Sequence, residues 1–183
     1  AVDAETGRKL WQSRPEPLAP LTLATRDGRV FYSNYEQVVC LDRATGEELW
    51  RSEPAESGKG HRATGGTLVA AEKAVLYAHV PASGRNYYGH LRAFSTETGE
   101  LLWKGPTYAG PGVANPPDLF VIDGLAWVGE TRVPVNNAQT ATTRRGFNPR
   151  TGDVIREVSV PKLTSPGHHF RCYRSKATER YLL

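Results

Sequence analysis

The chain has 183 residues, of which 39% are hydrophobic and 23% charged, and carries a formal net charge of +4. With four Trp, that content suffices for packed cores and predicts a soluble globular domain. No apolar run approaches the ~20 residues of a spanning helix, so the reading includes neither a membrane span nor a nucleic-acid partner.

In chain order, the first feature is a hairpin: Val2 ends an apolar strand, residues 3–7 (DAETG) turn, and a second strand carries Leu10 and Trp11. Next come residues 21–25 (LTLAT), a turn at Arg26-Asp27-Gly28, and residues 29–34 (RVFYSN). A second hairpin follows, with its turn at residues 42–46 (DRATG) and its last strand carrying Leu49 and Trp50. The order restarts with residues 67–71 (TLVAA), a turn at Glu72-Lys73 and residues 74–80 (AVLYAHV), and closes on residues 95–99 (STETG) and Trp103. It restarts again with residues 118–122 (DLFVI), Asp123-Gly124 and residues 125–130 (LAWVGE), and closes on residues 148–152 (NPRTG), Ile155 and Arg156. Short apolar or alternating runs between turn residues, with no stretch of helical period, predict four antiparallel strands per repeat.

The recurring hairpin is the strongest signal. Thr6, Thr45, Thr98 and Thr151 are spaced by 39, 53 and 53 residues, the size of one supersecondary unit stacked on its neighbours. In each copy Asp3, Asp42, Ser95 or Asn148 starts a turn by bonding its own backbone, and Gly7, Gly46, Gly99 or Gly152 supplies positive φ. Four-stranded units of this kind predict an all-β fold, a β-propeller segment. The motif resembles the PQQ-like (quinoprotein-type) β-propeller repeat, whose blade signature is an apolar strand followed by A-x-D-x-x-T-G-x-x-x-W. The resemblance covers nearly the whole chain; the fourth copy departs from it by placing Arg156 where Trp11, Trp50 and Trp103 stand. The family so resembled includes quinoprotein alcohol dehydrogenases, the outer-membrane-assembly lipoprotein of Gram-negative bacteria and large secreted proteins, which implies a periplasmic or extracellular location. Residues 167–183 are similar to a segment of long PQQ-like proteins of environmental bacteria.

On this reading the chain is one incomplete propeller domain. It holds an outer strand (residues 1–14), three full blades at about 18–52, 65–105 and 116–158, and the start of another at 167–183. Remaining blades or domains of the same polypeptide are then its first partners. Cys40 and Cys172 fall on strands of different blades and read as buried free thiols or as a disulfide.

Function is to be sought in the loops, because fold does not imply function. The tight turns share one face of the blades. The longer connections, residues 51–65, 81–89, 104–115, 131–143 and 159–167, share the other, where binding is usually built. The turn face carries Asp3, Glu5, Asp42, Glu47, Glu97, Glu100, Asp123 and Asp153, whereas the long-loop side carries Lys59, Arg62, Arg85, Arg132, Arg144, Arg145 and Lys162. All five histidines, His61, His79, His90, His168 and His169, map to that second side or to strand ends opening onto it. A face biased toward anionic ligands is predicted, against the alternative that these are ordinary solvated loop residues.

The ligand-binding candidates are His61, Arg62, Tyr87, Tyr88, His90, Arg132, Asn137, Arg144, Arg145, His168, His169 and Arg171. Residues 86–90 with Arg132 and Asn137 suit a sugar or peptide, or merely pack their loop. Side chains alternate along a strand, so His169, Arg171 and Tyr173 share one side and form the candidate catalytic set. His or Tyr beside Arg suits proton abstraction from a uronate whose carboxylate the guanidinium neutralises; alternatively, the cluster satisfies backbone carbonyls between blades. Adjacent histidines make a poor metal pair, and no metal site is predicted.

The quinoprotein enzymes of the resembled family pair their repeats with adjacent cysteines, Glu/Asn/Asp calcium ligands and a catalytic Asp near the axis. Here the cysteines are 132 residues apart and the long-loop face carries no acidic cluster. No cofactor is therefore expected for this stretch, and PQQ and calcium enter only if other blades supply the site. The expected function is a non-redox binding or scaffold module with an anionic saccharide or a protein as partner. The alternatives are a lyase-like enzyme on an anionic saccharide, using residues 168–176, and part of a quinone-dependent dehydrogenase.

Overall fold

The computed structural model describes residues 1–54, 66–79, 88–108, 117–128, 131–135, 139–160, 177–178 and 180–181, with the backbone alone at 88, 108, 131–135, 139–143 and 159–160. Among the described residues there are thirteen strands and no helix. The first sheet is β1 (Ala24–Arg26), β2 (Arg29–Ser33), β3 (Val38–Asp42) and β4 (Glu48–Arg51). The second is β5 (Gly66–Ala71), β6 (Ala74–His79), β7 (Tyr88–Ser95) and β8 (Leu101–Tyr108). The third comprises β9 (Leu119–Ile122), β10 (Leu125–Val128), β11 (Thr131–Val135), β12 (Gln139–Phe147) and β13 (Val154–Val160). Ala126 of β10 stands opposite Phe147, and Thr131 of β11 opposite Thr143, so β10 and β11 line one edge of β12 and the sheet has four strand positions. Each sheet is an antiparallel meander, a propeller blade, and β5 lies next to both β1 and β9.

The reason for this architecture lies in burial on both faces of each sheet. All six residues of β6 are buried, which explains an apolar run in place of alternation. Blades 1 and 2 enclose Phe31, Val38, Cys40 and Trp50 against Leu68, Val75, Tyr77 and Phe94. Blades 2 and 3 enclose Leu76, Leu91 and Ala93 against Leu119, Ala126, Val128 and Phe147. The pairs Arg26/Arg29, Ala71/Ala74 and Ile122/Leu125 flank equivalent first turns and set the three blades in register.

The four Thr-Gly turns share one geometry. The side chains of Asp3, Asp42, Ser95 and Asn148 accept from the backbone N–H of Thr6, Thr45, Thr98 and Thr151, and each of those hydroxyls accepts from the N–H two residues on. Gly7, Gly46, Gly99 and Gly152 adopt φ of +69° to +78° and donate to the carbonyl that opens the turn.

One expectation is overturned here. Residues 131–143 do not form a long loop but belong largely to the β11–β12 hairpin, and Arg144 and Arg145 lie within β12, half-buried. Backbone pairing of this kind needs no apolar face, so polar composition conceals it.

Candidate functional site

Two kinds of site emerge from the described residues: joints between repeats and polar seats beneath the linkers. At each joint an indole lies on the next repeat's turn. Trp11 Nε1 donates to the Arg43 carbonyl at 2.8 Å, Trp50 Nε1 to Thr96 at 3.0 Å and Trp103 Nε1 to Pro149 at 2.9 Å. The rings cover Gly46, Gly99 and Gly152 so closely that an added Cβ would meet ring carbons at 2.4, 2.5 and 2.7 Å. Only glycine leaves room there, and the same glycine supplies the left-handed turn. Gly7, at the equivalent place in the first copy, has nothing within 4 Å. In the fourth copy Arg156 replaces the indole and lies 3.8 Å from Asp123, both side chains exposed.

The polar seat on blade 1 receives Glu16 from the linker that enters the blade. Its carboxylate accepts from Tyr32 Oη, from Asn34 Nδ2 at 3.0 Å, and from Arg51 Nη1 and Nη2 at 3.1 and 3.3 Å. Arg51 also pairs with Glu48 at 2.7 Å. Burial acts to raise the Glu16 pKa, but the donors Arg51, Tyr32 and Asn34 outweigh it and hold the carboxyl below its ordinary range. Burial, reinforced by the Glu16 carboxylate, pushes the Tyr32 hydroxyl well up. The sequence reading missed this set, although Pro on either side of Glu16 was a sign of a fixed rather than a loose linker.

On blade 2 the buried His79 ring stacks on Tyr77 with centroids 4.9 Å apart, and exposed His90 stands 5.7 Å beyond it. His79 is therefore an interior group rather than part of a ligand-accepting surface. Arg145 pairs with Glu157 at 2.7 Å, and Arg144 takes the strand position that Leu91 holds in blade 2. Cys40 is buried and free, and burial pushes its thiol up to about 12.

Of the remaining candidates, Arg132 lies on β11 and Tyr88 at the start of β7. His61, Arg62, Tyr87, Asn137, His168, His169, Arg171, Tyr173 and Cys172 lie outside the described residues. Arg8, Arg26, Arg43, Lys73 and Arg150 stand exposed on the turn face beside its acidic residues. Leu18, Leu21, Leu23, Thr67, Leu119 and Phe120 line an open hollow of about 480 Å³, with no charged side chain among the described lining residues. Among the described residues no three His, Cys, Asp or Glu side chains group to hold a metal ion, and no helix is long and apolar enough to cross a membrane.

These joints recur in step with the turns that carry them, and a family model described as outer membrane protein assembly factor BamB matches residues 1–174. The chain belongs to this PQQ-repeat family. Over 120 residues it is 30% identical to the quinoprotein alcohol dehydrogenase PedH of Pseudomonas putida, covering 60% of this chain and 20% of that protein. Over 125 residues it is 32% identical to a quinoprotein ethanol dehydrogenase of Pseudomonas aeruginosa, again covering 60% of the chain and 20% of the relative. The chain thus spans about a fifth of these relatives. A quinohemoprotein alcohol dehydrogenase of Pseudomonas putida superposes with a TM-score of 0.57 at 13% identity, over 86% of this chain and 30% of that one. Its counterpart from Comamonas testosteroni gives 0.55 at 16%, over 86% and 31%. At these identities the superpositions establish a shared propeller fold.

Proposed function

We propose that this stretch is a non-redox scaffold, a run of blades joined by indole docks within a larger exported PQQ-repeat protein, with a seat for an anionic partner. The observation that carries the scaffold reading is the threefold repetition of the Trp-on-Gly joint, which spends the most characteristic residues of the motif on holding blades together. A second reading, that the larger protein is a quinone-dependent alcohol dehydrogenase, is favoured by the names of the relatives matched. On that reading these blades form part of the wall, and other blades supply the quinone site. Supplied with pyrroloquinoline quinone and calcium or a lanthanide, the 183-residue protein is expected to give no stoichiometric binding in calorimetry. Stoichiometric binding would overturn the non-redox assignment.

A further inference from the structure

Glu16 shows how this chain fills the gap between a linker and a blade: a Tyr hydroxyl, a side-chain nitrogen and a guanidinium receive one carboxylate. Position for position, blade 2 repeats the arrangement. Tyr77 on β6 stands where β2 has Tyr32, and His79 stands where Asn34 follows β2. The cation comes from another strand, Arg92 on β7, directly opposite Tyr77.

The blade 2 set differs in what it receives. Tyr77 is wholly buried, yet among the described residues no partner, the interacting Ser33 hydroxyl included, stands in full hydrogen-bonding geometry to its Oη. Among the described residues the buried Nε of Arg92 has no acceptor, and its Nη1 reaches the Pro54 carbonyl at 3.4 Å. Two buried donors on facing strands without acceptors are rare in folded proteins. The sequences of the two linkers differ at the matching place. The spacing W-x-S-x-P follows both Trp11 and Trp50, and where the first linker then has Glu16 the second has Ala55. Gly66 packs against the seat so closely that a Cβ there would meet the Tyr77 ring at 2.3 Å. Blade 3 has Val128 in the tyrosine position and so lacks the feature.

We propose that Tyr77 Oη and Arg92 Nε, between blades 1 and 2, form a receptor for a carboxylate, with His79 stacked on the tyrosine and His90 at the outer edge. A carboxylate offers two acceptor oxygens, matching a phenol and a guanidinium. It comes from a free acid such as a uronate, and an acidic side chain of the chain itself is the competing source that the test separates. The proposal is independent of the scaffold reading, because the indole docks stand with or without it.

The test is a magnetic resonance titration of the whole 183-residue protein with sodium acetate against sodium chloride at equal ionic strength, and with glucuronate against glucose. Saturable shifts of the Arg92 Nε–H and of the Gly66 and Gly89 amides are expected with the acids alone. Tyr77→Phe keeps the ring and removes the hydroxyl, and is expected to weaken acetate about tenfold, the contribution of one charge-assisted hydrogen bond. If wild type does not respond but Glu53→Gln does, the chain's own carboxylate fills the receptor. The proposal is overturned if neither protein shows saturable acetate shifts, or if Tyr77→Phe binds as well as its parent.

Discussion

Gly7 and Gly99 hold the same place in two copies of one turn, yet a methyl group added to each meets different surroundings. Both are left-handed, at φ +69° and +75°, so Ala carries a strain of about 1–2 kcal/mol at either position. At Gly99 the methyl also lands 2.5 Å from Trp50 and lifts the indole from its seat, whereas at Gly7 it meets nothing. Gly99→Ala is therefore expected to destabilise by some 2–4 kcal/mol more than Gly7→Ala, approaching the cost of losing a large core side chain. Equal midpoint shifts in denaturant would contradict the dock. The Trp and Gly of this joint were legible from spacing. The carbonyl that receives the indole was not, because a backbone acceptor leaves no mark in sequence and depends on how one blade sits on the next.

At the scale of elements, the linker over blade 1 is held by a charged cluster rather than by an apolar contact. The Glu16 pKa is lowered in the folded protein, so the stability it contributes is full above the unfolded value of 4.5 and is lost as pH falls through the folded one. Wild type is thus expected to lose more melting temperature between pH 6 and pH 3 than Glu16→Gln, as followed by circular dichroism. Parallel loss in the two would remove the clasp. The β11–β12 hairpin marks where pattern reading stops at this scale. Residues 131–143 (TRVPVNNAQTATT) are largely polar in sequence, and strand assignment from sequence depends on an alternating apolar pattern. Backbone pairing extended the strands past the point where side chains ceased to report them.

For the whole molecule, contacts run from each blade to its immediate neighbour, since each hydrophobic core is shared by adjacent blades. Stability in such arrays is a sum of unit and nearest-neighbour terms. Trp103→Ala is accordingly expected to speed amide exchange in β9, β10 and β12 while leaving β1–β4 close to wild type. Uniform acceleration in mass-spectrometric exchange would mean that the blades unfold as one body.

The sequence by itself determined the repeat, the strand count of a blade, the Thr-Gly turns and which residues face a core, because these follow from local dihedral preference and from apolar side chains that must leave water. Only the tertiary structure decided that Glu16, Tyr32, Asn34 and Arg51 share one cluster. It alone set Tyr77 and Arg92 opposite one another with no acceptor among the described residues, and turned Arg144 and Arg145 from loop to strand. Those outcomes depend on which polar groups meet when blades stack, and a polar residue reads alike in sequence whether water or a neighbouring blade satisfies it.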